Sequence, residues 1–432
     1  MPSSFTKFTL PNGLLVLLKE IHTVPVISNW VWYRVGSRNE QPGQTGISHW
    51  VEHMQFKGTD KFPAGILDKA ISRHGGFWNA MTYLDWTAYY ETMPADHIKL
   101  ALELEADRMI NSHFAPDEVE SERTVIISEL EGGKNSPTDR LNEAVQEKCF
   151  DLHPYQHEVI GSEEDLRAIQ RDDLYGYYRR HYSPNNAVLA IAGDFETGKI
   201  RKMVEALFSP IPRYETPALT LLQDIPLRVK REVSIEGPDS TAYLQVAYRA
   251  PRAAHRDFLV LLLLDSILSG PTSLNLFGAG ITNKTSRLYQ SLILSQQAVT
   301  VHGSLSATID PYMYDIMATI HPQCSHEAVL ATIDTEIERL QTDKVPDEEI
   351  ARAVKQQRAM LAYGNENITN QAFWMGYCEM FSSYEKWFAS FIDTLSSVTA
   401  DDIQRVARQY LSSEQRVIGK YIPQTNSNGE QA

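Results

Sequence analysis

"DDLYGYYRRHYSPNNAVLAIAG", residues 172–193, lies without gaps on "DDIQRVARQYLSSEQRVIGKYI", residues 401–422, at an offset of 229. Each copy reads as a helix, a turn and a buried strand, and few residues are identical between them. The same order of element types at a fixed offset points to an internal duplication, so the chain is expected to hold two homologous halves.

Between the halves, "SPIPRYETPALTLLQDIP" places Pro210, Pro212, Pro217 and Pro226 in a stretch with neither helical nor strand periodicity, which reads as a linker. The expected organisation is a first domain over 1–212, a linker over 213–230, a homologous second domain over 231–423 and a flexible tail over 424–432. In the first half, "FTKFTL" and "LLVLLKE" flank the turn signal Pro11–Gly13, and "VISNWVWYRVGS" adds another β-rich run. Helical periodicity then covers "AGILDKAISRHG" and the stretches 95–112 and 116–131, with strands expected in "GFWNAMTYLDWTAYYETM". The fold class is α+β: in each half an antiparallel or mixed sheet packed with helices.

A chain of 432 residues can bury a sizeable interior. Its formal net charge of −15 argues against a nucleic-acid partner and leaves peptide partners open. Cys149, Cys324 and Cys378 are odd in number, far apart and outside any CxxC spacing, which indicates neither a disulfide framework nor a thiolate metal site. The amino-terminal sequence lacks a basic region followed by an apolar one, and no run approaches a membrane span, so a cytoplasmic location without membrane association is expected.

Chemistry concentrates in "GISHWVEHMQFKGT", residues 46–59. On a helix, Ile47, Trp50, Val51 and Met54 form the core-facing stripe, while His49, Glu52, His53 and Phe56 form the other. Side chains four apart sit one above the other, so His49 and His53 can offer one imidazole nitrogen each to a single ion, with Glu52 beside it. Two neutral imidazoles suit Zn²⁺, and a catalytic zinc commonly takes a third protein ligand and leaves a position for water; a neighbouring carboxylate is a natural general base. A histidine pair at this spacing also decorates solvated helix faces, and a third ligand on a facing element would separate the two readings. The helix opened by Pro116 and Asp117 offers Glu122 and Glu129 on one face, seven residues apart, and spacing alone does not choose between them. In the second half the corresponding helix, "HRDFLVLLLLDSIL" at 255–268, is too apolar to hold a metal.

The stretch "GSRNEQPGQTGISHWVEHMQFKGTDKF" closely resembles the inverted zinc motif of the pitrilysin (M16, inverzincin) metallopeptidases. "LPNGLLVLL", "GGFWNAMTYLDWTAYY" and "ERTVIISELEGGKNSPTDRL" resemble the family's successive blocks in the same order, and the chain length suits its short, two-domain members. The resemblance implies a zinc endopeptidase. It implies Glu129, 76 residues beyond His53, as the third zinc ligand, with Glu122 as the acidic residue that supports the ligands. It further implies that Asn79 and Ala80 lie on an edge strand that pairs with the main chain of an extended peptide.

One departure from the family is visible. Active members carry an arginine and a tyrosine, spaced Arg-x6-Tyr, that bind substrate and stabilise the oxyanion; in "TSRLYQSLILSQQAVTVHGSL" those positions are Ile293 and Thr300. Arg287 and Tyr289 in the same block are expected to be structural. Losing one oxyanion donor commonly costs about 3–4 kcal/mol. The resemblance therefore implies a two-chain enzyme in which this chain bears the metal and a homologous subunit supplies the missing pair. The alternatives are a non-catalytic scaffold subunit and a self-sufficient homodimer. The Gly-rich stretch 268–285 is expected either to line a chamber or interface or to form a surface loop.

Overall fold

The computed structural model describes residues 5–218, 220–275 and 281–424. Residues 425–432 of the expected tail and 276–280 of the Gly-rich stretch lie outside them. In chain order the strands are β1 (Thr6–Thr9), β2 (Leu15–Glu20), β3 (Val26–Tyr33), β4 (Phe77–Thr82), β5 (Thr87–Pro94), β6 (Ala187–Gly193), β7 (Arg231–Gly237), β8 (Tyr243–Arg249), β9 (Ala298–Leu305), β10 (Met313–Ile320) and β11 (Arg416–Pro423). The helices are α1 (Ile47–Met54), α2 (Ile66–Arg73), α3 (Ile98–Asn111), α4 (Pro116–Gly133), α5 (Pro137–Cys149), α6 (Glu163–Ala168), α7 (Arg171–His181), α8 (Thr197–Phe208), α9 (Arg256–Leu268), α10 (His326–Thr342), α11 (Asp347–Tyr363), α12 (Ile368–Phe381), α13 (Ala389–Ser396) and α14 (Ala400–Tyr410).

Among the described residues the strands form two sheets of matching topology. The first has the order β1-β2-β6-β3-β5-β4 and the second β7-β11-β8-β10-β9. In each, the strand that follows the repeated helix, β6 after α7 and β11 after α14, pairs in parallel with an early strand of its half, β6 with β2 and β11 with β7, and every other pairing is antiparallel. Only β1 has no counterpart in the second sheet. The offset of 229 maps α7 onto α14 and the start of β6 onto the start of β11, so the repeated helix-turn-strand unit occupies equivalent places in two homologous α+β halves.

The chain forms two compact units that interleave along the sequence. One contains residues 1–130, 157–220 and 365–388; the other contains 131–156, 221–364 and 389–432. In the first unit α12, from the second half of the chain, covers β3 and β6. It approaches so closely that a Cβ on Gly376 would lie 2.0 Å from the indole Nε1 of Trp32, and Phe373 sits edge-on to Trp30 and Trp32 at 5.5 and 5.4 Å. In the second unit α5, from the first half, covers β11, with Val145 and Leu141 so near Gly419 that a Cβ there would lie 2.3 Å from the Val145 methyl. The helices are equivalent: α5 follows α4 as α12 follows α11. Trp30, Trp32, Trp86, Phe373 and Tyr377 fill the core on the α12 side of the first sheet, and Ile47, Trp50, Val51 and Met54 of α1 fill it on the other.

Candidate metal centre

α1 is preceded by Gly46, whose φ of 87° is in the left-handed region open to glycine and whose Cβ position lies 2.3 Å from the Ile160 carbonyl oxygen. No capping side chain precedes it. The buried carboxylate of Glu40 instead accepts the Gly46 and Ser48 N–H groups at 2.9 Å each, satisfying two of the helix's free donors. Ser48 Oγ is 2.8 Å from the Tyr177 hydroxyl of α7, and the Arg123 guanidinium of α4 lies 4.6 Å from the Trp50 ring centre. These contacts fix α1 against α7 and α4, and so decide what the polar face of α1 meets.

That face brings His49 Nε2 and His53 Nε2 to 3.2 Å, and Glu129 Oε2 of α4 lies 3.9 Å from both. One ligand atom from each of these three residues falls within 4.8 Å of the others. Glu122, one helical face-repeat earlier, is buried and sits behind His53: its Oε1 is 2.7 Å from His53 Nδ1, and its other oxygen is ion-paired with Lys57. The two glutamates that spacing left equivalent thus occupy different places. Glu129 faces both Nε2 atoms with its side chain half exposed, and Glu122 faces the far nitrogen of one ring.

Glu52 is buried next to the cluster, and its Oε2 accepts a hydrogen bond of 2.7 Å from Thr82 Oγ1 at the end of β4. Burial pushes the Glu52 carboxyl up to about 7, opposed by the Thr82 hydrogen bond and the field of His53. A carboxylate poised near neutrality can both take and return a proton. His49 is pushed down to about 3, first by burial and then by the like charge of His53, which keeps it a neutral imidazole with a free lone pair. For His53 burial acts downward too, but the Glu122 hydrogen bond and the fields of Glu52, Glu122 and Glu129 outweigh it and raise the ring. For Glu122 burial acts upward and is outweighed by His53 and Lys57, so it stays ionised. The donor set of two imidazoles and a carboxylate suits Zn²⁺, and the carboxylate on the far nitrogen of His53 is the usual partner of a metal-binding histidine. His49 Nδ1 is buried with no hydrogen-bond partner among the described residues.

Asn79 and Ala80 lie on β4, which pairs with β5 on one side and ends the sheet on the other. Asn79 is exposed, and its Oδ1 accepts the Ala80 N–H at 2.9 Å. Thr82, Lys57 and Glu40 were not singled out by sequence reasoning. Thr82 closes the "WNAMT" run, and Glu40 precedes the helix by a gap with no capping-box spacing, so neither carried a local signal. In the second unit Ile293 ends a helical turn over Tyr289–Ile293, and Thr300 lies on the outer strand β9 with its hydroxyl 2.7 Å from that of Thr319. Arg287 pairs with Glu349 at 3.0 Å, a structural contact.

The sequence of sites and sheets has close counterparts. The model of the insulinase group, peptidase family M16, matches residues 15–163, and that of the peptidase M16 inactive domain matches 168–357. The chain belongs to peptidase family M16. It is 27% identical over 410 residues to an uncharacterised zinc protease of Streptomyces coelicolor, covering 93% of this chain and 86% of that one. To one of Bacillus subtilis it is 25% identical over 408 residues, covering 94% and 96%. In fold it is similar to a protease from Helicobacter pylori, with a TM-score of 0.90 at 24% identity over 98% of this chain and 100% of that one. It is also similar to a peptidase M16 inactive-domain protein from Pseudomonas fluorescens, with a TM-score of 0.86 at 17% identity over 98% of each chain.

Proposed function

We propose that this chain is a zinc-dependent endopeptidase acting on short or unfolded peptides, with His49, His53 and Glu129 as metal ligands and Glu52 as general base. The observation that carries this reading is the convergence of those three ligand atoms within 4.8 Å beside a buried carboxyl held near neutrality. Zinc bound there would lower the pKa of a water toward about 7 and polarise the scissile carbonyl. Glu122 holds the proton on His53 Nδ1, so that Nε2 presents its lone pair to the metal. Glu52, ionised with the help of the Thr82 hydroxyl, takes a proton from the attacking water as the oxygen–carbon bond forms. It returns that proton to the leaving nitrogen as the carbon–nitrogen bond breaks. An extended substrate would add to the open edge of β4 at Asn79 and Ala80.

The metal-bearing half would be residues 1–212, followed by the linker 213–230, with 231–423 its homologous half without ligands. Ile293 and Thr300 favour a two-chain enzyme whose homologous partner supplies oxyanion donors. The rival readings are a self-sufficient homodimer and a non-catalytic scaffold. The free thiols Cys149, Cys324 and Cys378 fit a reducing compartment such as the cytoplasm, and no helix among the described residues is long and apolar enough to cross a membrane.

Zinc content and peptide cleavage of the purified chain, alone and with a homologous chain carrying Arg-x6-Tyr, test the proposal. Cleavage only with the partner supports the paired enzyme, and cleavage by the chain alone supports the homodimer. A Glu52→Gln variant as active as the parent, or no cleavage in either setting, would sink the peptidase reading.

A further inference from the structure

The second unit contains a cavity of about 550 Å³ that plays no part in the proposed metal chemistry. One wall is the segment Leu221–Leu227, which sequence pattern reads as a featureless linker, yet it is pinned at two points. Asp224 Oδ1 accepts the N–H groups of Leu152 and His153 at 2.8 and 3.3 Å, and Asp224 Oδ2 takes the Arg249 guanidinium at 2.7 Å. The Leu222 N–H donates to Asp310 Oδ1 at 3.2 Å. Leu221, Leu222, Pro226, Leu227, Ala250 and Pro251 supply an apolar surface.

The ionisable groups lining the cavity are largely matched. Arg249 is neutralised by Asp224 and lies 4.0 Å from the Phe150 ring centre, and Asp310 faces the buried His153 Nε2 at 3.0 Å. His153 Nδ1 accepts the Tyr155 N–H, so its Nε2 carries the proton given to Asp310. Arg252 differs: it lines the cavity and has no ion-pair partner among the described residues. Beside it, half-exposed His255 uses Nδ1 to cap α9. A guanidinium is always charged and presents donors in a fork that matches a carboxylate, and against an apolar wall that match is screened less than in water. Cavities of this size, apolar with a few convergent polar groups, are the usual form of a small-molecule site.

We infer that this cavity binds a small organic carboxylate with an apolar body, the acid group on Arg252 and the body against Leu221–Leu227 and Ala250–Pro251. Nothing in this inference depends on the metal or on peptidase activity. Calorimetric titration of the full chain with 4-phenylbutyrate and with neutral 4-phenylbutyramide tests it. The acid is expected to bind at least tenfold more tightly than the amide. Arg252→Gln is expected to remove that preference while leaving amide binding and the thermal melt unchanged, and Arg252→Lys to keep part of it. Equal affinity for acid and amide, no binding of the acid at millimolar concentration, or full retention of acid binding in Arg252→Gln would each overturn it. The acid–amide comparison on the unaltered chain stands even if a variant fails to fold.

Discussion

Glu122 Oε1 lies 2.7 Å from His53 Nδ1, on the side of the ring away from Glu129 and His49. This partly buried contact fixes the ring's orientation and tautomer, and Lys57 on the other oxygen keeps Glu122 ionised. Supporting carboxylates of this kind typically contribute 10- to 100-fold in metal affinity. Glu122→Gln should lower zinc affinity by about that factor and leave the fold intact, whereas Glu129→Gln should cost more because it removes a proposed ligand. Competition titration against a zinc chelator reads both, and equal affinity of Glu122→Gln and the parent would contradict the assignment.

Thr82→Val removes the hydrogen bond that the Thr82 hydroxyl gives Glu52 while keeping the residue's shape. Bonds to charged groups contribute about 1.5–3 kcal/mol. The expected result is a fall in kcat of roughly 10- to 100-fold with unchanged zinc content, and a variant whose kcat matches the parent would argue against a positioning role.

Replacing Gly46 by alanine forces a side chain into the left-handed region and against the Ile160 carbonyl. The strain alone costs about 1–3 kcal/mol. Gly46→Ala should therefore melt several degrees below the parent and lose zinc, whereas Gly43→Ala, which also has positive φ but no atom near its Cβ position, should suffer only the first effect.

Asp265 and Asp315 are buried carboxyls of the second unit. Burial raises Asp265 to about 6 against donors from Ser269, Thr272 and Tyr314, and raises Asp315 to about 7 against Gln245. Both lie above the ordinary aspartate value, so the folded state holds its protons more tightly than the unfolded one. Their stabilisation is complete below about pH 4 and is lost as pH rises through 6 to 7. Asp315→Asn keeps the shape and removes the titration. Its melting temperature should fall less than the parent's between pH 5 and pH 8, by the equivalent of at least about 1.4 kcal/mol, the free energy of a tenfold change in proton affinity. Parallel melting curves across that range would refute the prediction.

Local spacing was enough to expose the two-half α+β organisation and the pairing of His49 with His53, because a repeated helix-turn-strand unit and an i, i+4 pair on a helix are properties of neighbouring residues. The position of Glu129 in the family's motif could be read only by resemblance; spacing on α4 left Glu122 and Glu129 interchangeable, and it was the packing of α4 on α1 through Arg123 and Trp50 that sent one to the Nε2 side and the other to Nδ1. Thr82 and Lys57 stayed invisible because a hydroxyl at a strand end and a lysine one turn past a helix say nothing of what lies opposite.

Sequence by itself determined the elements around the histidine motif, the repeated helix-turn-strand unit and the chemistry available on α1, since periodicity and residue type are written locally. Tertiary structure alone decided that α12 covers the first sheet and α5 the second, for an apolar helix face specifies that it must be buried but not against which sheet. It also decided how acidic Glu52 is, because a carboxyl's proton affinity depends on how much water the folded chain removes from it.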